Sequence, residues 1–132
     1  MLILKTLNSN FKISTIDLEL FYTESKGAKI AIEVIKNGNE EYSRVEIDFF
    51  IVAEVKCVTL NFFESNYSNY LIKYFGDNEK PFDSGFYEVM DSAYLKENIE
   101  KYDPKMRFDL KHYIVTGNDS YVEIIASKYS VY

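Results

Sequence analysis

Tryptophan is absent from this chain, and its 132 residues include only one Cys, one His, two Pro and five Gly. A single cysteine excludes an internal disulfide and is typical of proteins from a reducing compartment. One histidine and one cysteine cannot by themselves supply the ligands of a zinc site. The scarcity of glycine and proline argues against a sandwich of many short strands with tight turns, so we expect fewer and longer strands.

Motifs that mark nucleotide, metal or cofactor chemistry are also missing from the sequence. There is no phosphate-binding glycine loop, no GxSxG, no dinucleotide fingerprint and no calcium loop of alternating carboxylates. No stretch approaches the ~20 apolar residues of a membrane-spanning helix, and the first residues do not resemble a signal peptide. We therefore expect a soluble, cytoplasmic, non-catalytic protein without a cofactor, a metal or a membrane partner.

Aromatic residues and negative charge are abundant. Twelve Tyr and ten Phe give an aromatic content of 17%, and the apolar content of 47% suits one core in a single domain covering residues 1–132. The net charge of −6 and the pI of about 4.8 disfavour a nucleic-acid partner. A basic protein surface is a better match for such a chain.

The longest strand-like stretch is 42–63, which reads YSRVEIDFFIVAEVKCVTLNFF. Apolar side chains alternate along one predicted face: Val45, Ile47, Phe49, Ile51, Ala53, Val55 and Cys57. After Cys57 the alternation changes phase, since Val58 and Leu60 are apolar instead. One extra residue in a strand has this effect, so the pattern predicts a β-bulge and a bend near Cys57 and Val58.

Shorter alternating segments precede this stretch at 2–7, 11–22 and 28–35. Asn37 and Gly38 tolerate positive φ and predict the hairpin turn that leads into the central stretch. These segments therefore read as antiparallel strands.

The second half of the chain predicts a helix at 91–101, capped by Asp91 or Ser92, followed by a terminal hairpin at 108–114 and 121–126. Residues 64–75 fit either a helix or a strand, and a loop followed by a short strand is favoured. The complete prediction is an α+β fold: a bent antiparallel β-meander of about six or seven strands with one helix packed on it.

Cys57 and His112 are the only residues that suggest nucleophilic catalysis. Both are expected on apolar strand faces, so they could meet in the core. However, a buried cysteine usually behaves as a small hydrophobe, and no neighbouring residue marks Cys57 as activated. We therefore expect no catalytic pair.

Charge is concentrated between residues 77 and 103, where eight acids face three bases for a net of −5. The same segment contains Phe82, Phe86, Tyr87 and Tyr94. Aromatic anchors supply interface energy and acidic fields steer basic partners, although charged runs are commonly just solvated surface.

Two stretches, DSGFYEVMDSAYLKENIEKYDP at 83–104 and LKHYIVTGNDSYVEIIA at 110–126, resemble the small acidic immunity-protein families of bacterial toxin systems. The resemblance covers about a third of the chain and has no diagnostic motif. It implies a binding inhibitor, and it names neither the toxin nor specific residues.

The sequence thus favours a non-catalytic protein-binding domain, most concretely an immunity protein that neutralises a basic toxin partner. The expected partner-binding residues are Asp83, Tyr87, Glu88, Asp91, Tyr94 and Glu97. One alternative is a small-molecule-binding module with a pocket lined by tyrosines and His112 in the curved sheet. A structural subunit that pairs through its sheet edges also remains open, as do the partner's identity and the oligomeric state.

Overall fold

A computed structural model describes residues 2–7, 11–36, 41–59, 72–74, 85–117 and 120–132. This part of the chain contains eight strands and one helix. They are β1 (Leu2–Thr6), β2 (Phe11–Thr23), β3 (Gly27–Lys36), β4 (Tyr42–Val58), β5 (Ile72–Tyr74), β6 (Phe86–Met90), α1 (Ala93–Tyr102), β7 (Lys111–Thr116) and β8 (Tyr121–Val131).

All eight strands belong to one sheet with the order β2-β3-β4-β8-β7-β6-β1-β5. Two antiparallel series, β2-β3-β4 and β6-β7-β8, meet at the antiparallel pair of β4 and β8. Within the described residues seven strands pair antiparallel, and the three-residue β5 adds a parallel contact to β1. The predicted antiparallel α+β fold is therefore present, but as two joined series and not one continuous meander.

Strand β4 contains a β-bulge, but at a different position from the predicted one. Val52 pairs with Ala126 and Glu54 with Ile125, which leaves Ala53 as the extra residue. Just before it, Ile51 has a φ of 55°, which is an outlier for a β-branched residue. Cys57 and Val58 pair in regular register with Val122 and Tyr121, so the position predicted for the bulge was wrong. Val52 and Val55 both pack against the main core, and their apolar side chains conceal the change of phase in the sequence.

The larger core cluster lies on one side of the sheet and includes residues from β3, β4, β6, β7 and β8. At its centre the ring of Phe49 lies 5.9 Å from that of Phe86 and 5.4 Å from that of Tyr113. Burial is the main reason that the pKa of Tyr113 is raised, with a further contribution from the charge of Glu88. Such buried aromatic clusters supply much of the hydrophobic stabilisation of a domain this small.

A smaller cluster occupies the opposite side of the sheet: Leu4, Tyr87, Val89, Ile114 and Tyr121. Helix α1 contacts the sheet on this side, through Glu54 of β4 and His112 of β7. The two sides therefore have different roles, one filled by the main core and the other carrying the helix.

Several boundaries differ from the sequence-based expectation. Strand β7 begins at Lys111, so Phe108 precedes it, and β8 continues to Val131 through a tail that had no strong pattern. Within 64–75 the structure describes β5, which agrees with the favoured short strand. The Asn37-Gly38 turn lies outside the described residues, although β3 and β4 do pair antiparallel.

Candidate functional site

Helix α1 is capped at its N-terminus by a side chain and at its C-terminus by a backbone N–H group. Ser92 is the N-cap, and its Oγ accepts a hydrogen bond from the backbone N–H of Leu95 at 3.1 Å. At the other end the N–H of Asp103 donates to the carbonyl of Ile99 at 2.7 Å. The expected helix is confirmed, with Ser92 and not Asp91 as its cap.

No residue of α1 is fully buried. Leu95, Asn98, Ile99 and Tyr102 are half-buried against the protein, while the remaining side chains of the helix are exposed. Apolar burial alone therefore does little to hold the helix on the sheet, and polar contacts take a larger share.

One of these polar contacts is a chain of hydrogen bonds that begins at the helix cap. Ser92 Oγ lies 2.7 Å from Nδ1 of His112, and Nε2 of His112 lies 2.8 Å from Oε1 of Glu123. Lys56 Nζ is 3.7 Å from the second carboxylate oxygen of Glu123. The His112 side chain is only 5% exposed, so both of its ring nitrogens depend on these partners.

A second polar contact joins the helix to β4. Tyr94 donates its hydroxyl hydrogen to Oε1 of Glu54 at 2.5 Å, and Tyr102 donates to Oε2 of the same carboxylate. Partial burial acts to raise the pKa of Glu54, but the two phenol hydrogen bonds outweigh it and the net pKa is lowered. The same hydrogen bonds are the first cause of the raised pKa of Tyr94 and of Tyr102.

Serine, histidine and a carboxylate in series resemble a hydrolytic triad, but the geometry here favours a structural role. Ser92 is buried, and its Oγ already accepts the N–H of Leu95 as the helix cap. Ser92 Oγ contacts Nδ1 and Glu123 Oε1 contacts Nε2, so both ring nitrogens of His112 already have partners within this network. The network therefore fixes where α1 begins.

Cys57 does not take part in this network. Its side chain is exposed and pairs across the sheet with Val122 of the main core side. His112 pairs with Ile125, which lies three positions after Val122 on β8. Because side chains alternate along a strand, Cys57 and His112 lie on opposite sides of the sheet. The idea that Cys57 and His112 meet in the core was wrong.

Three of the expected partner-binding residues lie together on the outside of the helix region. Asp91, Tyr94 and Glu97 are all exposed, and Tyr94 retains 42% exposure despite its bond to Glu54. The carboxylate of Asp91 forms an ion pair with Lys96, which reduces its effect on a partner.

The other three expected residues are placed differently. Tyr87 is only 4% exposed and belongs to the smaller core cluster, so it is no surface anchor. Glu88 pairs with Tyr113 and thus lies on the main core side, away from α1. Asp83 lies outside the described residues. Alternation along β6 directs Glu88 to the side opposite α1, whereas Tyr87 is on the helix side but buried.

Glu97 and Glu100 form the outward stripe of α1, because residues three apart share one helix face. Both are exposed, and neither has an ion-pair partner among the described residues. Asp103, by contrast, is buried and accepts the N–H groups of Arg107 and Phe108. The acidic surface in this part of the structure is therefore centred on Glu97 and Glu100.

A cleft of about 680 Å³ lies at the far end of the sheet, beside the β2–β3 turn. Phe21, Tyr22 and Phe50 form apolar parts of its wall. Lys29 Nζ lies 3.3 Å from Glu46 Oε2 and 3.9 Å from Asp48 Oδ1 within it. The cleft has a single tyrosine and does not include His112, so the pocket differs from the one expected from the sequence.

No group of three or more metal-ligating side chains comes together in the described ranges. The helix in those ranges is also too short and too polar to cross a membrane. Comparison with protein-family models, curated proteins and solved structures finds no match.

The sequence did not predict that Glu54 and Glu123 take part in these hydrogen bonds, or that Ser92 fixes the helix through His112. The available signals were weak: a carboxylate inside an apolar strand at positions 54 and 123, and a serine just before a helical pattern. Their partners are distant in sequence, so no local pattern connects them.

Proposed function

We propose that this chain is a protein-binding domain that recognises a basic partner through the outer surface of α1. The observation that carries the proposal is the exposed pair Glu97 and Glu100, unpaired among the described residues, next to the half-exposed ring of Tyr94. Acidic side chains attract a basic protein over a distance, and a tyrosine ring supplies contact area at low entropic cost.

The hydrogen bonds beneath the helix support this role. Ser92 is fixed by His112, and Tyr94 by Glu54, so the surface is ordered before a partner arrives. A preorganised surface loses less conformational entropy on binding and therefore binds more tightly. The most concrete form of the proposal is an immunity protein that neutralises a basic toxin domain.

A double charge reversal tests the proposal. The test variant combines Glu97→Lys with Glu100→Lys on the outer stripe of α1. The control variant combines Asp17→Lys with Glu24→Lys, which makes the same change of charge at exposed positions on β2 and in the turn after it. The immobilised proteins are used to capture partners from a lysate of the source organism at low and high salt. We expect the wild type and the β2 variant to retain a basic protein at low salt only, because exposed charge pairs are screened.

Retention of that protein by the α1 variant would contradict the proposed surface. Absence of any salt-sensitive basic partner from the wild-type capture would contradict the proposed function itself. If the captured protein is toxic when expressed alone, rescue of growth by co-expression of this chain tests the immunity role.

The cleft at the β2–β3 turn favours a second candidate, a small-molecule-binding module. Its volume of about 680 Å³ falls within the range of ligand pockets, and Phe21 and Phe50 offer apolar walls. Native mass spectrometry of protein purified from its source would show a bound small molecule. We expect Phe21→Glu to remove the added mass and Tyr42→Glu, also at an exposed aromatic, to keep it. No added mass on the wild type would refute this candidate.

A further inference from the structure

The segment that follows α1, residues 103–109 (the 103–109 loop), is held in one conformation by hydrogen bonds to its backbone, most of them formed by the side chains of Asp103 and Ser127. The two carboxylate oxygens of Asp103 accept the N–H groups of Arg107 at 2.8 Å and Phe108 at 2.9 Å. The N–H of Met106 donates to the carbonyl of Asp103 at 3.1 Å, and the Ser127 hydroxyl donates to the carbonyl of Phe108 at 2.5 Å. A loop tied at this many points presents its side chains in fixed positions.

The 103–109 loop also contains backbone strain that its packing does not explain. Met106 has a φ of 52° and Asp109 a φ of 51°, in the left-handed region that glycine adopts without cost. The Met106 side chain is 73% exposed, so burial offsets little of this strain. Strained residues of this kind are concentrated at binding sites, where their position serves a ligand.

The 103–109 loop itself has two bases and two acids, but the slightly longer segment around it is basic, which is opposite to the charge of the whole protein. Residues 101–111 contain four bases, Lys101, Lys105, Arg107 and Lys111, against two acids, Asp103 and Asp109. Asp103 is buried in its backbone hydrogen bonds, and Asp109 lies 4.0 Å from Lys111. In the described part of the chain neither Lys105 nor Arg107 has a carboxylate at ion-pair distance. This segment is therefore a basic area on a chain with a net charge of −6.

Apolar groups lie beside these charges. The guanidinium carbon of Arg107 lies over the Phe108 ring, 5.5 Å from its centroid, which is within the range of a cation–π contact. Phe108 remains 36% exposed. Arginine binds carboxylates through two parallel N–H groups, and methionine adapts to irregular apolar partners. The combination fits a ligand with both carboxylates and aliphatic side chains.

A polyphosphate partner fits this area poorly. Because the 101–111 segment carries a net +2, the rest of the chain carries −8, which would repel an extended nucleic acid. A short acidic peptide carries fewer negative charges than an extended nucleic acid, so it experiences less of that repulsion. Charge complementarity and the exposed Met106 therefore favour a protein segment rich in acidic and aliphatic residues.

We infer that the 103–109 loop is a docking site for an acidic, aliphatic segment of a partner protein, with Met106 contacting an aliphatic side chain and Arg107 a carboxylate. This site is separate from the acidic stripe of α1, so it goes beyond the proposed binding of a basic partner. A protein with both surfaces can bind two regions of opposite charge.

The experiment uses the full chain, labelled with ¹⁵N, and a probe peptide of defined sequence, acetyl-Gly-Glu-Leu-Asp-Leu-Glu-Gly-amide. We expect the peptide to shift the amide signals of 105–109 and of Ser127 in a saturable way at up to millimolar concentration. A peptide with lysine in place of each acidic residue should leave them unchanged, because it is repelled by Lys105 and Arg107.

Variants then separate binding from folding. Met106→Ser and Arg107→Gln should weaken peptide binding by about fivefold or more, the effect of losing one anchor contact. Met106→Gly should raise the Tm by relieving the positive φ and still weaken binding, whereas Met106→Leu should bind like the wild type. Tyr42→Ser, at an exposed aromatic on β4, is the matched control and should bind normally.

The inference is overturned if the acidic peptide shifts no signals at millimolar concentration, or shifts signals elsewhere than the loop. It is also overturned if Arg107→Gln binds like the wild type, or if a thymidine oligonucleotide binds the loop more tightly than the peptide. Glu97→Lys with Glu100→Lys should retain peptide binding, so a failure of the α1 proposal remains distinguishable from a failure of this one.

Discussion

Replacement of Ser92 by alanine should destabilise the protein more than the loss of an ordinary helix cap. The Ser92 hydroxyl accepts the N–H of Leu95 and contacts Nδ1 of His112 at 2.7 Å. Alanine removes both contacts at once. Because His112 is only 5% exposed, water does not easily replace the lost partner of its ring nitrogen.

The magnitude follows from the two losses. Removal of a serine cap costs about 1 kcal/mol. A buried acceptor without a partner costs a further 1–3 kcal/mol or so, which gives ~2–4 kcal/mol for Ser92→Ala. Ser92→Gly costs only a few tenths of a kcal/mol in capping, so it should lose roughly 1–3 kcal/mol through His112 alone. Ser92→Thr retains the hydroxyl and should be close to the wild type.

Urea unfolding, followed by far-UV circular dichroism and tyrosine fluorescence, measures these free energies of unfolding. The comparison of Ser92→Gly with the wild type is decisive, since glycine preserves most of the capping but none of the contact with His112. If Ser92→Gly is as stable as the wild type within about 0.5 kcal/mol, the hydrogen bond to His112 contributes nothing and the reasoning fails.

Three further outcomes are expected. The folded pKa of Glu54 lies below its ordinary value of 4.5. The extra stability of the wild type over Glu54→Gln should therefore be fully present above pH 4.5 and be lost as the pH falls through the folded pKa. A difference in unfolding free energy that is constant with pH would contradict this. Gly27 has a φ of 77°, and an added Cβ would lie 2.7 Å from the Phe49 carbonyl oxygen. Gly27→Ala should therefore lower the free energy of unfolding in urea by about 2 kcal/mol or more. The loss should be clearly larger than for Gly117→Ala, where the atom nearest to an added Cβ is 3.3 Å away. Phe49→Ala should cost ~3–5 kcal/mol because it opens a cavity at the centre of the aromatic cluster, and a loss below about 1 kcal/mol would show that the core is elsewhere.

Much of the fold could be predicted because its strands follow local patterns. The alternation in β3 and in the first part of β4 matches the buried positions Ile30, Ile32, Val45 and Ile47. Helix α1 was predicted almost to its ends from its apolar spacing and its cap. The phase change in β4 was predicted too, but its position was wrong because Ile51 adopts a positive φ that the sequence does not reveal.

Of the expected site residues, the structure places together only three that are close in sequence around the start of α1. Asp91, Tyr94 and Glu97 were expected together, and all three are exposed in the α1 region. Tyr87 was expected beside them but is buried, because alternation on β6 directs it into the smaller core cluster. The 103–109 loop was not recognised, since its conformation depends on Asp103 binding two backbone groups after the helix has ended.

The sequence by itself determined the strand segments, the helix and the excess of acidic residues, because periodicity, capping and charge are properties of neighbouring residues. Only the tertiary structure decided which strands are adjacent and which side of the sheet carries the helix. Glu54 meets Tyr94 across 40 residues and Tyr102 across 48, and no local pattern predicts such a contact. The long-range pairing of strands brings these residues together, and that pairing depends on the packing of the whole chain.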